Sequence, residues 1–102
     1  MPYDIKLLPT AELSFTALPV DLQAVLEKKL NGLADDPLQT GGAMRSPGPN
    51  AGMVLPFEHG PVDGKIHHFC IYFRFGQDEQ SLIIREITHH EFDDDAPYWE
   101  LH

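Results

Sequence analysis

Leu18, Leu22, Val25, Leu26, Leu30 and Leu33 recur at steps of three and four, which lays one apolar stripe along a helix of about four turns. Pro19 suits the first helical position, Asp21 puts a carboxylate at the positive end of the helix dipole, and Lys28 and Lys29 lie toward the other end. Asn31-Gly32 or Asp35-Asp36-Pro37 ends the run. Upstream, Tyr3 to Leu8 alternates imperfectly and stops at Pro9, an opening strand; Thr10 then caps a short helix carrying Leu13, Phe15 and Leu18.

Residues 37–52 hold three prolines and four glycines and read as a loop. Met53 to Phe57 reads as a strand interrupted by Pro56, hence at an edge or a bulge, and His59 to Gly64 as a turn. Lys65–Phe75 and Ser81–Phe92 flank Gly76 to Gln80, a connection of hairpin length. Phe69, Ile71, Phe73 and Phe75 on the first strand, with Ile83 and Ile87 on the second, are apolar at odd positions, so both odd sets should turn to one core. The opposite face then carries His68, Cys70, Tyr72 and Arg74 beside Leu82, Ile84, Glu86, Thr88 and His90. With the turn centred near Asp78, His67 faces His89 or, one step along, His68 faces His90.

Composition narrows the class. The 102 residues are 42% hydrophobic and 23% charged, which suits one small globular domain over 1–92, with 93–102 an acidic and aromatic tail. Sixteen Asp and Glu against seven Lys and Arg leave a formal charge of −9, which disfavours RNA or ribosome binding by the protein as a whole. No apolar run is long enough to span a membrane and no signal-like start is present, so membrane association is not expected and a cytoplasmic location is. Cys70, the only cysteine, has no partner for an internal disulfide, which agrees with a reducing compartment, and reads as a small apolar filler.

Four of the six histidines form the adjacent pairs His67-His68 and His89-His90. Paired imidazoles on a sheet face can exchange protons near neutral pH or hold a divalent metal, and they equally suit half-buried positions at a strand end. A third metal ligand is not evident, and no cofactor is implied; His59, Glu91 and Asp93 are neighbours only in sequence. Tyr72, Arg74 and Glu86 make a second group, in which Arg74 and Glu86 are diagonal candidates for an ion pair and Arg74 for a phosphate contact. Arg45 is the only cation between Lys29 and Lys65, a candidate phosphate contact or a solvated loop charge.

Tyr3-Asp4-Ile5 at the start, Leu18-Pro19 entering the main helix and Leu33-Ala34-Asp35-Asp36-Pro37 leaving it are followed by Gly64 before a strand reaching Tyr72. Ile87-Thr88-His89-His90-Glu91-Phe92 closes the last strand. In this order the phrases resemble the RelE/ParE toxin superfamily over roughly residues 3–92. The resemblance implies an α+β fold, β-α-α-β-β-β, with two helices packed on a small, mainly antiparallel sheet, and a bacterial toxin–antitoxin role. Members of that superfamily cut messenger RNA on the ribosome or poison DNA gyrase. The sequence departs from the ribonuclease pattern where His68-Phe69 precedes Tyr72 without an arginine, where Phe92 stands for a terminal tyrosine, and where the basic approach is reduced to Arg45. Three expectations follow. One is a protein that works by binding an antitoxin-like peptide or a second copy of itself, with ribonuclease activity lost or altered. Another is an mRNA-cleaving enzyme using His68, His90, Tyr72 and Arg74, with Arg45 and Glu86 as weaker substrate contacts. A metal-binding protein using the paired histidines is the third.

Overall fold

The computed structural model describes residues 3–37, 44–45 and 52–93. In chain order these form β1 (Asp4–Leu7), α1 (Pro9–Thr16), α2 (Val20–Asp35), β2 (Met44–Arg45), β3 (Met53–Val62), β4 (Lys65–Phe75) and β5 (Ser81–Asp93). The strands make one sheet in the order β1-β5-β4-β3-β2, with β1 parallel to β5 and every other pair antiparallel. The α+β class and the order of elements are those expected, with β2 added inside the stretch read as loop.

The helix stripe behaves as its spacing requires. Leu22, Leu26, Leu30 and Leu33 of α2 are buried with Ala11 of α1 against Leu55, Phe69, Ile71, Phe73, Leu82, Ile84 and Ile87 of the sheet. Each large apolar side chain so enclosed contributes about 1.5–3 kcal/mol. Pro9 opens α1 and no side chain caps it, so Thr10 lies within the helix rather than at its cap. Pro19 occupies the N-cap of α2, one position before the one its fixed φ suggested. The N–H of Tyr3 donates to the carbonyl of Ala34 at 2.9 Å, tying the start of the domain to the end of α2.

The turn expected at His59 to Gly64 is shorter than its composition implied. β3 continues to Val62, which pairs with Lys65 across a two-residue turn of Asp63 (φ 52°) and Gly64 (φ 77°). Positive φ at both positions is what a tight hairpin needs, and Asp-Gly is among the sequences that supply it.

The β4–β5 hairpin forms with the expected connection, yet its register changes once. His68 pairs with His90, Cys70 with Thr88, Ile71 with Ile87 and Tyr72 with Glu86; beyond this point Phe73 pairs with Ile84, Arg74 with Ile83 and Phe75 with Leu82. Arg85 is the extra residue of a β-bulge. The strict odd-position rule is therefore wrong for the first part of β5. Leu82 and Ile84 are fully buried, and Ile83 sits half-buried opposite Arg74. Phe75 is at the margin too, 36% exposed. β5 runs through Asp93, whose carboxylate pairs with Lys65, so the strand passes the expected boundary at Phe92; residues 94–102 of the tail lie outside the described residues.

Candidate functional site

The helices cover one face of the sheet, and no described helix or strand covers the other. Alternation along β3, β4 and β5 lays rows of side chains across this second face: Glu58, His68 and His90; then Pro56, Cys70 and Thr88; then Val54, Tyr72 and Glu86. The next row is Arg74, Ile83 and, through the parallel pairing with β1, Lys6.

His68 and His90 are direct cross-strand partners on this face, the one-step-along register of the two anticipated. His68 is the better positioned. Its Nδ1 lies 3.8 Å from Glu58 Oε1, and its Nε2 lies 3.6 Å from Cys70 Sγ. Tyr72 stands two residues further along the same face. Burial, followed by the adjacent Cys70 and then Glu86, pushes its phenol above the ordinary tyrosine value, while a hydrogen bond with Thr88 pulls the other way. Arg74 and Glu86, the diagonal candidates for an ion pair, do not form one, and the bulge sets Arg74 opposite Ile83. Arg45 falls in β2, in register with Met53 rather than in an isolated loop.

The bulge also brings a residue that alternation did not single out. A Cβ added to Gly52 would lie 3.5 Å from Arg85 Nη1 and 3.6 Å from Arg74 Cβ, so the Arg85 guanidinium lies beside Arg74 at the start of β3. The same added atom would meet the Phe73 carbonyl at 2.7 Å, which only glycine avoids. Lys6, Arg74 and Arg85 thus gather at one corner of an otherwise acidic molecule. The sequence carries no clear signal of the bulge, because Leu82, Ile83 and Ile84 are all apolar and alternation does not say which of them turn inward.

The second histidine pair meets on the helix side. His67 Nδ1 and His89 Nε2 are 3.0 Å apart, and the His89 ring stacks on Phe69 with centroids at 4.7 Å. Burial, then His67 and His90, hold the His89 imidazole below its ordinary value against the opposing pull of Glu91. His59 lies near the pair, its ring centroid 6.3 Å from that of His67. Among the described residues no three His, Cys, Asp or Glu side chains group so as to hold a metal ion, and no helix is long and apolar enough to cross a membrane.

No family model matches the chain, and no curated protein matches it in sequence. Among solved structures it is similar to a chain of the toxin–antitoxin complex RelBE2 from Mycobacterium tuberculosis. The match has a TM-score of 0.60 at 18% identity and covers 88% of this chain and 100% of that one. At that identity the likeness is one of fold, and it is the fold that the resemblance to the RelE/ParE superfamily implied: α+β, with two helices packed on a small, mainly antiparallel sheet.

Proposed function

We propose that this chain is the toxin-fold member of a toxin–antitoxin pair and acts by protein contact, holding an antitoxin-like peptide, with ribonuclease activity lost or altered. The observation that carries this reading is the likeness in fold, over the whole length of the matched chain, to a chain of a toxin–antitoxin complex. Charge supports it. At −9 the molecule as a whole repels phosphate backbones, and the cations of the open face are confined to one corner. The test is to produce the chain with the product of the adjacent open reading frame and measure the mass of the purified species by light scattering. A stable complex of the two supports the reading, and a monomer that leaves the other product behind overturns it. A homodimer would replace the peptide partner by a second copy.

The direct pairing of His68 with His90 favours a second reading, an mRNA-cleaving endoribonuclease. One imidazole would take the proton of a ribose 2′-hydroxyl and the other protonate the leaving oxygen, with Arg74 on the phosphate and Tyr72 stacked on a base. Growth arrest on induction that disappears in the His68→Ala, His90→Ala double variant selects this reading; normal growth on induction removes it.

A further inference from the structure

Cys70 and Glu58, which neither reading above uses, form a constellation with His68. His68 and Cys70 are two residues apart on β4 and so share a face, and β3 places Glu58 in register with His68. One imidazole nitrogen contacts the thiol at 3.6 Å, while the other lies 3.8 Å from the carboxylate. A nucleophile touching a base, with a third group behind the base, is the arrangement by which a cysteine is made reactive. Cys70 is half-buried on the face that no described element covers, with Tyr72 beside it, Thr88 across on β5 and Pro56 across on β3. The Tyr72 phenol, pushed upward, stays protonated near neutral pH and sits as a neutral neighbour to the sulfur. His90 and Glu86 complete the titratable groups of the face around it.

We propose that Cys70 is a reactive thiol, activated by His68 and Glu58, that undergoes reversible S-thiolation by low-molecular-weight disulfides. His68 Nε2 takes the Sγ proton, and the resulting thiolate attacks one sulfur of the disulfide. The new bond joins Cys70 Sγ to that sulfur as the old sulfur–sulfur bond breaks. The leaving thiolate keeps the electron pair and takes the proton back from His68. Cys70 is oxidised to the mixed disulfide, half of the reagent is reduced to a thiol, and a second free thiol reverses the exchange. The bulky cap then lies between the His68–His90 and Tyr72–Glu86 rows and closes the open face to any partner. This inference stands independently of the toxin–antitoxin reading.

Because Cys70 is the only cysteine, its exchange is read without ambiguity. The experiment follows the reaction of the whole folded chain with oxidised glutathione and with a chromogenic aromatic disulfide from pH 6 to pH 9. A synthetic peptide of residues 66–74 is the reference. The folded chain is expected to react at least about tenfold faster than the peptide at pH 7. His68→Gln should bring the rate and its pH profile to those of the peptide, and Glu58→Gln should fall between. A folded chain no faster than the peptide, or a folded His68→Gln variant with unchanged rate, overturns the proposal. Should His68→Gln fail to fold by circular dichroism, the comparison of wild-type chain with peptide decides alone.

Discussion

His67 and His89 hydrogen-bond through Nδ1 and Nε2 at 3.0 Å on the helix side of the sheet, while their sequence neighbours His68 and His90 pair on the opposite side. Four histidines that look alike in the sequence thus belong to two environments. The His67–His89 contact is packed over Phe69, and burial is the chief reason His89 resists protonation.

That resistance fixes the sign of a pH effect. The unfolded chain protonates His89 at about 6.5, whereas the folded chain does so only at lower pH, so the unfolded state gains protons first on acidification. The contribution of His89 to stability is complete above the unfolded value and is lost as pH falls from there toward the folded one. Thermal melts from pH 7.5 to pH 5 should therefore give a falling Tm, and His89→Gln should fall less steeply over the same window. Parallel curves for the two proteins would contradict the assignment.

Asp78 organises the β4–β5 connection by accepting hydrogen bonds from the N–H of Gln80 at 2.9 Å and, through its two oxygens, from the N–H and hydroxyl of Ser81 at 3.1 and 3.0 Å. The bond from Gln80, first, and that from the Ser81 hydroxyl hold its carboxyl below the usual aspartate value. A depressed folded value means that the carboxylate stabilises the fold above the unfolded value and that this contribution is lost as pH falls through the folded one. Asp78→Ala should lower the Tm at pH 7 and change it less at pH 3, as measured by circular dichroism melts.

Ile83 and Ile84 are adjacent and identical in chemistry, yet the bulge at Arg85 sends Ile84 into the core and leaves Ile83 outside. Ile84→Ala should cost about 2–5 kcal/mol in urea unfolding. Ile83→Ala should cost about 1 kcal/mol or less. A larger loss at Ile83 than at Ile84 would mean that the bulge is absent.

Deleting Arg85 tests the same feature from the other side. The pairs Tyr72–Glu86 and Phe73–Ile84 flank it directly, so a chain without Arg85 can keep both pairings and every buried position of β5. The deletion variant should fold, with its amide exchange protected along β5. Loss of folding would show that the bulge is needed for more than register.

How far the sequence was legible follows from these elements. The α2 stripe declares its buried face because four leucines repeat at helical steps. The β4–β5 hairpin declares itself because two long alternating runs flank a polar connection. β2 could not be read, since two residues carry no period and their partner, the Met53–Val54 end of β3, is supplied from elsewhere in the chain. The pairing of β1 with β5 joins opposite ends of the domain, where no local pattern operates. At the candidate site His68, His90, Tyr72 and Arg74 were placed on one face by alternation alone. Glu58 and Arg85 were not, because one comes from a neighbouring strand and the other from a bulge.

The two outer flanks of the sheet have a bearing on how the protein behaves when crowded. β1 ends after four residues and Pro9 follows closely, while on the far side the described residues of β2 pair with Met53 and Val54 of β3, and Pro56 follows with no N–H to donate. Among the described residues neither border offers a long, unbroken row of backbone groups on which a stray strand can crystallise, so these margins are poor seeds for fibrous stacking.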